Sequence, residues 1–154
     1  MINIFADIVD RLPKHETKVY GQRTLDKINK VIVHHSATAT GSALAFANYH
    51  INERDWPGIG YHFVIDAYGL PQQTNNLSTV SYHTSGQNTS SIGICLVGNF
   101  DEQTPSEEQI RGLVKTIKML KQLGYVFEIH GHREYSSKSC PGDNIDIDKI
   151  RAQV

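Results

Sequence analysis

The sequence is short of several things, and each absence narrows the field. It has two cysteines, Cys95 and Cys140, in 154 residues, too few for the disulfide framework that staples small secreted domains. Neither sign of charge is in excess. Fifteen Lys and Arg against sixteen Asp and Glu give a formal net charge of −1, so no broad basic field exists to hold nucleic acid or an anionic membrane surface. No apolar run approaches the roughly 20 residues that a membrane-spanning helix needs. The opening Met1-Ile-Asn-Ile-Phe-Ala-Asp has no basic flank, apolar stretch or small-residue cleavage pattern of an export signal. There is no internal repeat, low-complexity run or Pro- and Gly-rich linker. What remains is the size and balance of one globular domain with a real core, expected to be a monomer made in the cytoplasm, without membrane insertion or a nucleic-acid partner.

What is present alternates strands with helices. Ile4, Ile8 and Val9 are turn-spaced and predict a short helix ending before Pro13, and the stretch to Lys30 is polar. Residues 1–30 are therefore an extension packed on a domain of 31–154. Val31-Ile-Val33 reads as a buried strand leading into His34-His35-Ser36. Leu44, Ala47 and Ile51 predict a helix over 42–54, broken by Trp56-Pro-Gly-Ile-Gly60. Tyr61 to Ile65 and Leu70 to Thr74 flank an Asp66-Ala-Tyr-Gly69 turn and predict a hairpin. Ser91 to Val97 alternates as a central strand does and places Cys95 in the interior as a small buried hydrophobe. Pro105 to Leu123 carries the stripe Ile110, Leu113, Val114, Ile117 and Leu120. Thr104 is the expected cap, Glu107 the partner in a capping box, and Gly124 the stop. Tyr125 to Ile129 reads as a strand and 146–153 as a short helix. The fold class is α/β, a mixed central sheet flanked by helices. If the strands at Val31 and Tyr125 run parallel, His34 and His132 lie beyond carboxyl ends of one sheet, where open α/β folds bind ligands.

Three side chains suggest a metal centre: His34, His132 and Cys140, the last two within Gly131-His-Arg-Glu-Tyr-Ser-Ser-Lys-Ser-Cys-Pro-Gly142. Imidazole with thiolate suits Zn²⁺, and three protein ligands leave a fourth position for water, as catalytic sites do. A single histidine carries little weight, since most are surface or hydrogen-bonded residues. The combination carries the argument.

The segments Val33-His-His-Ser-Ala-Thr38, Gly58-Ile-Gly-Tyr-His-Phe63, Ser91-Ile-Gly-Ile-Cys-Leu-Val-Gly-Asn99, Gly131-His-Arg-Glu and Lys138-Ser-Cys-Pro-Gly142 resemble the type 2 N-acetylmuramoyl-L-alanine amidases. That family includes amidase-type phage endolysins and animal peptidoglycan recognition proteins. The resemblance runs from Val31 to Gly142. It implies one Zn²⁺ held by His34, His132 and Cys140, with Tyr61 matching the tyrosine beside the metal and Lys138 the lysine of the phage enzymes. Recognition proteins that bind without cutting commonly lack the cysteine, and a cytoplasmic recycling branch has aspartate there.

The resemblance implies hydrolysis of the amide between N-acetylmuramic acid and L-alanine in peptidoglycan or muropeptides, by zinc-activated water. Lys138 is expected to stabilise the oxyanion and Tyr61 to orient the water or shuttle its proton. His83, in the loop before the central strand, and Trp56, at the cleft rim, are the candidate substrate contacts. His35, His62 and His130 each adjoin a site residue on a strand, where neighbours point to opposite faces, and are expected to be structural. Glu134 is expected to be solvated or salt-bridged. Three rival readings stand beside the endolysin released by a holin-type partner: a non-cutting peptidoglycan-binding module, a recycling amidase of the cytoplasm, and a structural zinc protein whose fourth ligand would be His35 or His130.

Overall fold

A computed structural model describes residues 5–154. The strands are β1 (Ala6–Asp7), β2 (Gly21–Gln22), β3 (Lys30–His35), β4 (Phe63–Ile65), β5 (Pro71–Gln73), β6 (Thr79–Val80), β7 (Ser91–Leu96) and β8 (Glu128–Gly131). The helices are α1 (Ala43–Asn52), α2 (Glu107–Gln122) and α3 (Ile147–Arg151). Six strands form one sheet in the order β1-β5-β4-β7-β3-β8. β3 runs parallel to both β7 and β8, β4 runs parallel to β7, and the hairpin strand β5 is antiparallel to β4. The sheet is mixed and flanked by helices, as expected.

The period-2 alternation of β3 and β7 divides the interior into two layers. Val31, Val33, Ile92, Ile94 and Leu96 pack with Leu113, Ile117 and Leu120 of α2 and with Ile147 and Ile150 of α3. On the other face Val64 and Val97 meet Ala43 and Ala47 of α1, together with Leu12 and Ile59. The metal-ligand candidate His34 lies on this second, thinner side, where small alanines replace large core residues and leave room for a cleft.

Several local expectations shift. Ile4 lies outside the described residues; from the predicted N-terminal helix the chain instead makes β1, parallel to β5 at the sheet edge, and a single 3₁₀ turn at Val9–Arg11. In α1 the buried positions are Ala43, Ala47 and His50, whereas Leu44 is 55% exposed. His50 turns inward because its Nδ1 accepts the Gly60 N–H at 3.0 Å. Helix α2 is capped by Ser106, not Thr104. Ser106 Oγ accepts from Gln109 N at 3.1 Å and Gln109 Oε1 from Ser106 N at 3.2 Å, while Gln109 Nε2 donates to Val97 O at 2.8 Å. That last bond fixes the helix start to the sheet and outweighs the alternative box. β8 begins at Glu128, not Tyr125, because its partner β3 begins at Lys30, which pairs with Glu128. The two-residue ladder of β2 with β6 is too short to leave a pattern in sequence.

Candidate metal centre

β8 ends at Gly131, opposite Val33 of β3. The next residue on each is therefore a histidine beside a histidine, and the rings of His34 and His132 lie 4.6 Å apart. Cys140 returns to them on a loop braced by hydrogen bonds from Arg133 and to Asp101. Arg133 N donates to Cys140 O at 2.7 Å, and its guanidinium donates to Gly142 O at 2.9 Å and Ile145 O at 2.8 Å. Asp101 accepts from Ser139 Oγ at 2.6 Å and from Asp143 N at 3.0 Å.

One atom from each of His34, His132 and Cys140 can be chosen so that all lie within 4.8 Å of one another, and His34 Nδ1 is 3.7 Å from Cys140 Sγ. Tetrahedral zinc with ordinary Zn–N and Zn–S bonds separates such atoms by about 3.5 Å, so the donors fit the ion in chemistry and spacing. Burial, reinforced by the neighbouring His83 and His132, holds His34 well below the usual imidazole range, which keeps a ring nitrogen free to ligate. Burial likewise lowers His132, with Lys138 acting in the same direction. The Cys140 thiol is pushed up to about 11 by burial, against the pull of the adjacent His35 main chain and of Lys138. At neutral pH it gives up its proton only to a cation.

The three residues stand in a cleft of about 900 Å³. Phe46 and Tyr49 of α1, Arg54, Trp56, Tyr61 and Tyr82 line it, together with Lys138 and Asp101. Tyr61 is half-buried with its ring 5.3 Å from that of His34. Its hydroxyl is held well above the usual phenol range, chiefly by desolvation, so it stays a hydrogen-bond donor. Lys138 is exposed at the mouth. Trp56 packs its ring 4.7 Å from His50 and 5.8 Å from Tyr82.

His83 lines the cleft but faces His34: its Nδ1 is 3.0 Å from His34 Nε2 and its Nε2 3.2 Å from Ser91 Oγ. Both ring nitrogens are spent inside the protein. His35 accepts the Phe100 N–H at 3.1 Å on the opposite face. His62 accepts from Gly93 N at 3.0 Å and donates to Thr79 O at 2.8 Å. His130 is clasped by Glu128 and Glu134, 2.9 Å from each, and Glu134 also pairs with Arg151. Among the described residues no fourth side chain joins the three, which removes the structural-zinc reading. Reasoning from sequence missed Asp101, Arg133, His50 and Arg54; only Arg133, inside Gly131-His-Arg-Glu, had a local signal.

The sequence pattern of the family described as N-acetylmuramoyl-L-alanine amidase matches residues 24–143. The chain belongs to that amidase family. It is 32% identical to the endolysin of Escherichia phage T7 over 127 residues, covering 75% of this chain and 82% of that one. Among solved structures, the N-acetylmuramoyl-L-alanine amidase LysC from Clostridium intestinale URNW superposes with a TM-score of 0.79 at 24% identity, covering 92% and 95% of the two chains. Peptidoglycan recognition protein-LE in complex with tracheal cytotoxin, a monomeric diaminopimelic acid-type peptidoglycan, superposes with a TM-score of 0.84 at 20% identity, covering 97% and 93%. As an amidase-family fold, the sheet carries His34 and His132 at its strand ends and the cleft beside them. No helix of the described residues is long and apolar enough to cross a membrane.

Proposed function

We propose that the chain is a zinc-dependent N-acetylmuramoyl-L-alanine amidase acting on peptidoglycan, working as an endolysin of phage or prophage origin. The observation that carries this is the convergence of His34, His132 and Cys140 at the head of a cleft that Tyr61 and Lys138 also line. Membership in the amidase family supports the reaction, and the likeness to the T7 endolysin supports the endolysin setting. Residues 31–154 form the catalytic part, and the preceding extension, described from Phe5 onward, packs on it.

Bound zinc would supply an activated water at neutral pH and polarise the scissile carbonyl. The protein's own residues do the rest. His34, His132 and Cys140 would hold the ion. Tyr61, a protonated phenol, donates a hydrogen bond that orients the reacting oxygen. Lys138 brings a positive charge to the oxyanion that develops as the amide carbon becomes tetrahedral. Trp56 offers an apolar face at the rim on which a sugar ring or stem peptide can rest. In this reading the protein is monomeric, and it reaches the wall through a holin-type route.

A non-cutting binding module is the rival, since recognition proteins share the fold. A pure binder has no need of a buried thiol beside two imidazoles. Dye release from purified cell walls tests the choice: release that a chelator abolishes and added Zn²⁺ restores is the expected result. Mass spectrometry of the products must then show free L-alanine amino termini on the stem peptides. Binding to walls without release would overturn the enzyme reading.

A further inference from the structure

A hydrogen-bond chain runs from a main-chain carbonyl to the candidate metal centre, and its direction can be read without any metal. Ser91 Oγ lies 2.6 Å from Gln87 O. A carbonyl only accepts, so the serine hydroxyl donates there. Ser91 Oγ is 3.2 Å from His83 Nε2 and has spent its proton, so it accepts and Nε2 carries the hydrogen. His83 is buried and touches no carboxylate; the His62 ring lies 5.7 Å away. Nothing there offsets the cost of a second ring proton, so its Nδ1 is bare. That nitrogen is 3.0 Å from His34 Nε2, and an acceptor at that distance requires Nε2–H on His34. Thr84 Oγ1, 3.0 Å from His83 Nδ1 and 3.3 Å from His34 Nε2, fits the same direction by donating to the first and accepting from the second. The lone pair of His34 is left on Nδ1, the atom that faces Cys140 Sγ at 3.7 Å.

We propose that His83 is a positioning residue of the metal centre rather than a substrate contact: through Ser91 and Gln87 it fixes the tautomer and ring angle of His34 so that Nδ1 is presented to the ion. The inference rests on the metal-centre reading above and adds how that centre is prepared before metal arrives. The surroundings are built for it. A Cβ on Gly93 would stand 2.6 Å from His83 Cγ, so β7 needs a glycine there to let the ring lie against the sheet. Arg23 donates to the carbonyls of Leu77, Asn88, Thr89 and Ser91 at 2.7 to 3.1 Å, which ties residues of the first thirty to both ends of the loop bearing His83. Outer partners of metal-bound histidines commonly contribute 10–100-fold to metal affinity, in the order-of-magnitude sense.

The test is Zn²⁺ affinity of the full chain by competition with a chromogenic chelator, which reads the site without reference to catalysis. His83→Ala is expected to bind the ion about 10–100-fold more weakly. His83→Asn, whose amide oxygen can accept where Nδ1 did, is expected to recover most of that loss. Ser91→Ala is expected to fall between wild type and His83→Ala. Melting of the metal-free proteins checks that all are folded, and a merely structural role would not separate the Asn from the Ala variant at equal melting temperature. Wild-type affinity in His83→Ala, or equal losses in the Asn and Ala variants, overturns the proposal; if neither folds, unchanged affinity in Ser91→Ala does so. A wild-type chain that binds no Zn²⁺ removes the metal-centre reading and this inference together. One that binds it but releases no dye removes only the amidase reading.

Discussion

Asp101 and Ser139, the residue before Cys140, are joined by a 2.6 Å hydrogen bond across 38 positions of sequence. The same carboxylate accepts from Asp143 N, so one exposed side chain holds both flanks of the cysteine. Its carboxyl lies below the usual carboxylate range, first because of Ser139 and then because of Asp143. A depressed folded value means that the stabilisation is complete above the unfolded value of about 3.9 and fades as pH falls through the folded one. Asp101→Ala is expected to weaken zinc retention at pH 7 with little change in overall stability. Urea unfolding of the metal-free chain should show the wild-type advantage over Asp101→Ala vanishing only in strong acid. Equal zinc dissociation rates in the two proteins would show the brace to be idle.

Lys138 and Tyr61 are expected to separate metal binding from turnover. Lys138→Ala should lower kcat by roughly 10²–10³, the usual cost of losing one oxyanion partner, while zinc stoichiometry stays at one. Tyr61→Phe removes the hydroxyl and keeps the packing against His34, and should also reduce kcat with zinc bound. Full activity in either variant would remove it from the proposed chemistry.

Two neutral histidines set an acid limit on stability. Burial, helped by Arg54, lowers His50 to about 4, and burial, helped by Arg23, lowers His62 to about 3. Below the unfolded value of about 6.5 the unfolded chain binds protons that the folded chain refuses, so stability falls as pH drops from 6.5 toward those values. For His50 the gap between about 6.5 and about 4 amounts to about 3 kcal/mol at about 1.4 kcal/mol per pH unit. His50→Asn supplies a non-titrating acceptor for Gly60 N–H and should flatten that slope. Urea midpoints between pH 7 and pH 4 measure it, and an unchanged slope would assign the acid sensitivity elsewhere.

Helix α2 rests on the turn before β5 through glycine. A Cβ on Gly112 would lie 2.2 Å from Gly69 O, and Gly69 itself has φ +82° with Glu108 O at 2.2 Å from its own absent Cβ. Gly112→Ala must push helix and turn apart and is expected to cost about 1–3 kcal/mol, although alanine favours helix elsewhere. A thermal melt decides: a variant as stable as wild type would show that the contact yields freely.

Legibility from sequence followed the range of the forces involved. The core strands and α2 were readable because burial imposes a period on neighbouring residues, as Ile92, Ile94 and Leu96 or Leu113, Ile117 and Leu120 show. The cluster of His34, His132 and Cys140 was readable from residue chemistry and motif resemblance, and the parallel register of β3 with β8 explains why two distant histidines meet. His50 facing inward, Ser106 capping α2 and Asp101 bracing Ser139 each depend on one long-range hydrogen bond. Such bonds leave no periodic trace. His83 was readable as a residue near the site but not as a neighbour of His34, because the two stand 49 positions apart and are brought together by the pairing of β7 with β3.

His34 and Cys140 are 106 positions apart in the chain. During translation the imidazole leaves the ribosome long before the thiol exists, so a nascent polypeptide cannot assemble the centre. A product interrupted between His132 and Cys140 carries both imidazoles and lacks the third donor of the candidate centre.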